Sequence, residues 1–272
     1  MDRLEKLKEL WTGLSGKTHA TQVEIWDRVA GEYVTHEPPD FENNTFLQRI
    51  DEVASPDPSM SSLDIGCGGG RYSLALAPRV GLAAGVDISP KMLEYATAEA
   101  AARGIENVDF RCLDWAEADI DALGFRGRFD IVFAHNTPAV LDFCTFDKMN
   151  ACSKKFCFLS RAGRRNDAVQ DRAFEIVGID PDNKRHDDQI AYMFDYLWYS
   201  GYRPQFSYAD QVWTDTRSVE DMAAWCVNRA KLRRGLSPSD EEKIREFLES
   251  IAVDGRVRET IESTDVTVWW QI

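Results

Sequence analysis

The chain has 272 residues, of which 44% are hydrophobic, and it carries a formal net charge of −14 at pH 7. This hydrophobic content predicts one large folded domain, or a domain with a substantial appendage, and excludes a disordered chain. The negative charge disfavours nucleic acid and anionic membranes as partners, because both require a positively charged protein surface.

The sequence lacks the features that are typical of membrane and secreted proteins. No stretch reaches the ~20 apolar residues that a membrane helix needs, and the first residues, MDRLEKLKELW, are too charged for a secretory signal. The six cysteines contain no C-x-x-C pair, which favours reduced thiols over disulfides or a zinc site. We therefore expect a cytoplasmic protein.

Helices are predicted ahead of the first strand. Apolar residues recur at helical spacing over residues 3–14, and a second helix is predicted over residues 21–33. The segment NNTFLQRIDEVA predicts a third helix, which ends before the linker SPDPS. Residues 1–58 are therefore predicted to form a helical lid.

Short apolar strands then alternate with helices. The strands are SSLDIG, AAGVDIS, VDFRCLD, FDIVFAH and KFCFLSR, in that order. This alternation predicts a parallel sheet covered by helices on both faces, which is a doubly wound, Rossmann-like α/β fold. Residues 59–217 are predicted to form this core.

The remaining elements predict an antiparallel end to the sheet. A strand near PQFSYADQVW is followed by two helices and by the closing apolar strand DVTVWWQI. We predict a mostly parallel seven-stranded sheet with an antiparallel last strand at residues 263–272. Residues 218–262 are predicted to be a helical cap inserted before that strand.

The segment LDIGCGGGRYSLALA, residues 63–77, indicates a ligand-binding turn between a strand and a helix. It lacks the G-x-G-x-x-G spacing of dinucleotide sites, because Arg71 or Ser73 stands where the last glycine is required. The P-loop pattern is absent as well. Asp64, two residues before the first glycine, repels a pyrophosphate but suits a ligand that carries an ammonium and a sulfonium group.

This segment resembles the first motif of the class I S-adenosylmethionine-dependent methyltransferases. The resemblance is specific over residues 60–138 and architectural over residues 139–163. It implies that Asp64 lies beneath the methionine end of the cofactor, and that Asp87, in GVDIS, holds both ribose hydroxyls.

The resemblance also implies roles for residues that follow later strands. Ile88 and Met92 are expected at the adenine, Asp114 at the adenine amino group, and His135 and Asn136 at the methyl group. Trp115 either flanks the adenine or fills the edge of the sheet, since an indole is large enough for both. The implied cofactor-binding residues are Asp64, Gly66, Gly68, Gly70, Asp87, Ile88, Met92, Asp114, Trp115, His135 and Asn136.

Methyl transfer to a hydroxyl, phenol or ammonium group requires a base that removes a proton, whereas transfer to a thiolate does not. His135 is the first candidate base, because it ends a central strand and titrates near neutrality. Tyr33 and His36 are the second candidates, because similar enzymes place such a helix over the cofactor. A purely structural histidine is the alternative. No metal site is expected.

The predicted function is transfer of a methyl group from S-adenosylmethionine to an O, N or S nucleophile of a small molecule, and a homodimer is the assembly to test. A protein methyltransferase, a non-catalytic cofactor-binding partner or sensor, and a nicotinamide oxidoreductase are the alternatives. Pro138 is expected to shape the substrate entrance. The candidate residues for the substrate pocket are Tyr192, Tyr196 and Tyr199 as aromatic lining, and Arg161, Arg164 and Arg229 as anion-binding groups.

Overall fold

The computed structural model describes residues 2–12, 22–24, 26, 27, 30, 31, 38–181, 184–231 and 233–272, and only the backbone of residues 184–187. The chain divides into two compact units. The first contains Met1–Arg161, Gln189–Ser207 and Val266–Ile272, and the second contains Ala162–Asp188 and Tyr208–Asp265.

The first half of the chain contains the predicted alternation of strands and helices. Its elements are α1 (Arg3–Leu10), α2 (Thr45–Ala54), β1 (Ser61–Ile65), α3 (Arg71–Leu76), a 3₁₀ turn (Ala77–Arg79), β2 (Leu82–Asp87), α4 (Pro90–Ala102), β3 (Val108–Cys112), β4 (Phe129–His135) and α5 (Phe143–Cys152). Residues 22–24, 26, 27, 30 and 31 are also helical, within the segment predicted as the second helix.

The second half contains three long strands and four helices within its described residues. Its elements are β5 (Ser153–Asp167), α6 (Ala168–Ile176), α7 (Lys184–Tyr199), β6 (Gln205–Ser218), α8 (Val219–Lys231), α9 (Pro238–Ile251) and β7 (Arg256–Gln271).

The strands form one seven-stranded sheet in the order β3-β2-β1-β4-β5-β7-β6. Strands β1 to β5 pair in parallel, and β7 is antiparallel. The prediction of a mostly parallel, doubly wound sheet with an antiparallel last strand is therefore confirmed. Its parallel part brings the carboxyl ends of β1, β2, β3 and β4 to one edge, where ligands bind in open α/β sheets.

The central strands form because their apolar runs are buried on both faces. In β4, FDIVFAH, every residue before His135 is buried, as expected of an inner parallel strand. Helix α2 packs on this core with Phe46, Leu47 and Ile50, and the Asn44 side chain caps it by accepting a hydrogen bond from the Leu47 amide at 3.0 Å.

The second unit has a hydrophobic core of its own, which the apolar faces of α6, α8 and α9 build together with β7. The buried residues of this core include Ala173, Phe174, Met222, Cys226, Ile244, Leu248 and Val257. A unit that starts at residue 162 contains more of the chain than the predicted cap of residues 218–262. The difference arises because β5, β6 and β7 each supply residues to both units.

The last strand begins earlier than predicted, at Arg256 rather than at residue 263. Buried and exposed residues alternate strictly from Arg256 to Ser263. Several residues of this segment are charged, so the sequence alone did not indicate a strand with one buried face. One of them, Glu259, is itself buried and accepts a hydrogen bond from the Gln170 amide at 3.0 Å.

Within the described ranges, no helix combines the length and the apolar character that crossing a membrane requires. All six cysteines are free thiols, and Cys152, Cys157 and Cys226 are buried.

Candidate functional site

The turn between β1 and α3 has a backbone that only glycine adopts without strain. Gly66, Gly68 and Gly70 have φ angles of 70°, 53° and 74°. A Cβ atom on Gly66 would lie 1.9 Å from Thr137 Oγ1, and one on Gly70 would lie 2.9 Å from Ala96 Cβ. Backbone conformation therefore favours glycine at all three positions, and close packing requires it at Gly66 and Gly70.

Asp64 is a buried carboxylate at the end of β1. It accepts a hydrogen bond from Ser73 Oγ at 2.8 Å. Burial, and to a smaller extent the charge of Asp87, raises the pKa of Asp64 to about 7, although the Ser73 hydrogen bond acts in the opposite direction. A cation bound beside Asp64 favours its ionised form.

Asp87 ends the neighbouring strand β2 and joins it to the glycine turn. Its Oδ2 accepts a hydrogen bond from the Gly68 amide at 2.8 Å, and its Oδ1 accepts one from the Ser89 amide at 2.9 Å. Burial raises the pKa of Asp87, whereas the backbone hydrogen bonds lower it. These two amides fix the carboxylate at the carboxyl edge of the sheet.

Asp27, which the sequence analysis did not single out, also lies at this edge. Ser89 Oγ donates a hydrogen bond to Asp27 Oδ1 at 2.5 Å, and the negative charge of Asp27 helps to raise the pKa of Asp87. Ser89 Oγ in turn accepts a hydrogen bond from the Met92 amide at 3.1 Å. Met92 is buried, and its Sδ lies 3.9 Å from the position of a Cβ on Gly68.

Asp114 follows β3 and lies next to the end of β2, because the Leu113 amide donates a hydrogen bond to the Asp87 carbonyl at 2.9 Å. Its Oδ1 accepts a hydrogen bond from the Ala116 amide at 2.9 Å. The carboxylates of Asp64, Asp87 and Asp114 thus belong to the ends of three adjacent strands. Ile88 follows Asp87 directly and is partly buried.

Trp115 is buried in the core of the first unit. Its Nε1 donates a hydrogen bond to the Thr145 carbonyl at 3.0 Å, and Lys148 Nζ lies 5.6 Å from the centre of its ring. The indole therefore fills the space between β3 and α5. A contact between Trp115 and an adenine ring stays a prediction.

His135 ends β4 inside a small aromatic cluster. Its Nε2 lies 3.0 Å from Tyr72 Oη, and its ring centre lies 4.0 Å from that of Tyr72 and 4.8 Å from that of Phe46. Burial, with a smaller effect of the Arg71 charge, lowers the pKa of His135 to about 3, so the imidazole is neutral at pH 7. The other two candidate bases, Tyr33 and His36, lie outside the described residues.

The loop after β4 contacts the glycine turn. It starts at Asn136, an exposed residue with a φ angle of 47°, whose amide donates to the Ser160 carbonyl at 2.9 Å. Thr137 and Ala139 are the loop residues that approach Gly66. Pro138 between them is exposed.

Buried side chains from distant parts of the sequence hold this loop in place. The Leu141 carbonyl accepts hydrogen bonds from Trp11 Nε1 at 2.9 Å and from Gln189 Nε2 at 3.4 Å, and the Val140 carbonyl accepts one from Arg161 Nη2. The sequence indicated a function for Arg161 but none for Trp11 and Gln189. No short-range pattern in the sequence indicates these contacts.

The remaining candidates for the substrate pocket differ in their surroundings. Tyr196 is buried and donates a hydrogen bond to Asp147 Oδ1 at 2.5 Å, and Tyr199 Oη accepts one from Arg3 Nη1 at 2.7 Å. Tyr192 lies 6.0 Å from Trp11, measured between ring centres. The hydroxyl of Tyr196 is therefore occupied within the core of the first unit.

The arrangement suits an uncharged or cationic ligand that has hydroxyl groups. Asp64 and Asp87 are acceptors at the ends of adjacent strands, and the glycine turn between them gives a ligand access to backbone atoms. Among the described residues, no group of three or more histidine, cysteine, aspartate or glutamate side chains is arranged to hold a metal ion.

Comparison with known proteins identifies relatives of this domain. Residues 56–167 match a family described as "Methyltransferase domain". Over 144 residues the chain is 31% identical to nocamycin O-methyltransferase of Saccharothrix syringae, an alignment that covers 52% of this chain and 48% of the relative. The chain thus spans about half the length of this curated relative.

Solved structures share the fold. The YcgJ protein of Bacillus subtilis is 19% identical with a TM-score of 0.50, and the match covers 82% of this chain and 96% of that protein. A phosphoethanolamine N-methyltransferase of Haemonchus contortus, solved with phosphomonomethylethanolamine and S-adenosylhomocysteine, is 15% identical with a TM-score of 0.51, and the match covers 93% of this chain and 59% of that protein. At these identities the likeness concerns the fold alone.

Proposed function

We propose that this chain, whose residues 56–167 match a methyltransferase-domain family, is a class I methyltransferase that transfers the methyl group of S-adenosylmethionine to a small molecule. The observation that carries the proposal is the pair of carboxylates, buried Asp64 and partly buried Asp87, next to a glycine turn at the ends of adjacent strands. A pyrophosphate would be repelled there, whereas an ammonium group and ribose hydroxyls are attracted.

The residues present fit S-adenosylmethionine, which supplies an electrophilic methyl group on a sulfonium when it is bound. Asp87 would accept hydrogen bonds from the ribose hydroxyls, because the Gly68 and Ser89 amides occupy only part of its acceptor capacity. Asp64 would attract the ammonium group. Asp114 would accept a hydrogen bond from the adenine amino group.

The contribution of the chain to the chemistry is alignment and exclusion of water. The loop after β4, fixed by Trp11, Gln189 and Arg161, provides a rigid wall next to the glycine turn. A pKa of about 3 makes His135 too weak a base to take a proton from a hydroxyl or ammonium nucleophile at pH 7, so His135 is proposed to orient the nucleophile through Tyr72. A nucleophile that is already ionised needs no proton acceptor.

A small-molecule acceptor is favoured by the charge of the chain and by the curated relative. The net charge of −14 disfavours nucleic acid. Nocamycin O-methyltransferase is named for an O-methyl transfer, and transfer to oxygen is therefore the first reaction to test. A cytoplasmic location, the absence of a nucleic-acid partner and a homodimeric state stay predictions.

Turnover with S-adenosylmethionine labelled in its methyl group tests the proposal. The purified protein is incubated with separate small-molecule and protein fractions of a cell extract, and transferred label is counted in each. We expect label in the small-molecule fraction. Label in the protein fraction alone would identify a protein methyltransferase, and cofactor binding without transfer to either fraction would identify a binding partner or sensor.

The pH dependence of cofactor binding is expected to follow Asp64. Its pKa of about 7 means that it carries a proton below neutrality, and this proton must leave before the carboxylate can pair with an ammonium group. Affinity for S-adenosylmethionine should therefore rise with pH, approaching tenfold per unit below about pH 6, and level off above about pH 8. Calorimetry in buffers of different ionisation enthalpy measures the affinity and the proton release together.

Two variants test whether Asp64 is the group that causes this pH dependence. Asp64→Asn should bind more weakly and should lose the pH dependence. Asp130→Asn is the control: Asp130 is also buried, but Lys155, Ser61 and Lys154 hold its pKa at about 2 against the effect of burial, so the pH dependence should remain. If the affinity of Asp64→Asn still depended on pH, the pH dependence would have to come from another group.

Replacement of His135 tests its proposed role in orienting the nucleophile. His135→Asn is expected to lower kcat by up to about 10²-fold, the loss that misplacement of the nucleophile produces, with little change in affinity for S-adenosylhomocysteine. Tyr72→Phe is the matched variant, because it removes the hydroxyl next to Nε2 and keeps the ring. A decrease of less than about threefold in His135→Asn would leave His135 with a packing role alone.

A further inference from the structure

Arg161 is a buried cation without a counter-charge among the residues that the structure describes. Only 6% of its surface is exposed. Its Nη2 donates to the Val140 carbonyl, while its Nε has no hydrogen-bond partner in the described part of the chain. Burial lowers the pKa of the guanidinium to about 10, so Arg161 keeps its positive charge at neutral pH.

A buried guanidinium of this kind is unfavourable unless an anion compensates it. None of the ion pairs among the described residues includes Arg161. The other two candidate arginines differ. Arg229 stacks on Trp225 at 4.2 Å, and Arg164 is exposed. Of the three, Arg161 alone is a buried charge that an anionic ligand would neutralise.

Arg161 also lies at the edge of the sheet where ligands are expected. It directly follows Ser160 in β5, and Ser160 pairs with His135 at the carboxyl end of β4. The loop that accepts its hydrogen bond, at Val140, is the loop whose Thr137 approaches Gly66. One short loop therefore contacts both the glycine turn and Arg161.

Gln189 provides a second buried polar atom without a partner at the same loop. Its Nε2 donates to the Leu141 carbonyl at 3.4 Å, and its Oε1 has no hydrogen-bond partner among the described residues. Arg161 and Gln189 are thus bonded to successive carbonyls, Val140 and Leu141. Between them they leave one donor and one acceptor unsatisfied, which is the complement of a ligand that carries both an acceptor and a donor.

We propose that Arg161 binds a carboxylate of the methyl-acceptor substrate, with Gln189 accepting a hydrogen bond from the same molecule. This inference rests on the proposed methyl transfer for the identity of the ligand as a substrate. A single arginine neutralises one negative charge, and this property matches a carboxylate better than a doubly charged phosphate.

Calorimetry with benzoate and with its neutral analogue benzamide tests the proposal on the wild-type protein in the presence of S-adenosylhomocysteine. We expect benzoate to bind at least about tenfold more tightly than benzamide. Equal affinities, or no detectable binding of benzoate at millimolar concentrations, would overturn the proposal. This comparison needs no variant and is therefore independent of any effect on folding.

Variants then assign the site to Arg161. Arg161→Met, which keeps most of the side-chain volume, should reduce benzoate affinity to the level of benzamide, whereas Arg161→Lys should keep part of the preference for benzoate. Arg126→Met is the control, because Arg126 is exposed and pairs with Asp121. Unchanged benzoate affinity in a folded Arg161→Met protein would place the anion elsewhere. Binding of S-adenosylhomocysteine is measured separately, so its failure would count against the proposed function and not against the anion site.

Discussion

Replacing Gly66 with alanine is expected to reduce affinity for S-adenosylhomocysteine by about 30-fold or more and to destabilise the first unit. The φ angle of 70° costs an L-residue about 1–2 kcal/mol. The added Cβ would also lie 1.9 Å from Thr137 Oγ1, and overpacking of this kind costs about 1–3 kcal/mol. The turn or the loop after β4 must move, and either movement disturbs the cofactor site. Calorimetry and thermal unfolding measure the two effects.

Gly69 provides a matched control in the same turn. A Cβ on Gly69 would meet no atom within 4 Å, and its φ angle is not positive. Gly69→Ala should therefore keep its stability. The double variant Gly66→Ala/Thr137→Ala removes the closest contact and should recover part of the loss. If Gly66→Ala and Gly69→Ala behave alike, close packing of the turn is not what the site requires.

Asp87→Ala is expected to weaken binding of S-adenosylmethionine and S-adenosylhomocysteine by about 1–3 kcal/mol, or roughly 5- to 150-fold. The loss has two physical sources. The ribose hydroxyls lose a charged acceptor, and the amides of Gly68 and Ser89 lose the carboxylate that fixes them. Asp87→Asn keeps an acceptor oxygen and should fall between wild type and Asp87→Ala.

Asp109→Ala is the control for removal of a carboxylate that lies outside the site. Asp109 lies in the adjacent strand β3 and forms a partly exposed pair with Arg111 at 2.7 Å. Its removal should leave cofactor affinity unchanged, because exposed ion pairs contribute little. An affinity for S-adenosylhomocysteine that is unchanged in Asp87→Ala would show that the ribose is bound elsewhere.

The sequence predicts the parallel half of the sheet and the glycine turn because the signals there are local. In LDIGCGGG and GVDIS, a short apolar strand is followed at once by the polar residue that ends it. The strand order then brings Asp64 and Asp87 together, since carboxyl ends of adjacent parallel strands share one edge. Prediction of this part required no knowledge of long-range contacts.

Other parts depend on contacts between residues far apart in the sequence. Asp27 bonds to Ser89, and Trp11 to Leu141, through tertiary packing that no periodicity reveals. The orientation of Trp115 toward Thr145 is likewise decided by the position of α5. Buried and exposed residues alternate at the early start of β7. The buried residue Glu259 is charged, however, so the segment has the composition of a surface strand.

The unsatisfied polar atoms of Arg161 and Gln189 could not be predicted from the sequence. The segment FLSRAGRR contains three arginines, and its sequence does not show which of them is buried. Only the fold distinguishes Arg161, which is buried and forms no ion pair within the described ranges, from Arg165, which pairs with Asp167 at 2.8 Å.

We propose above all that the turn between β1 and α3 binds a sulfonium nucleoside and not a dinucleotide. Calorimetry of the wild-type protein with S-adenosylmethionine, S-adenosylhomocysteine and NAD tests this claim most directly. We predict saturable binding of both sulfur nucleosides to one site and no measurable heat with NAD. Tight binding of NAD, without a response to either sulfur nucleoside, would contradict the account.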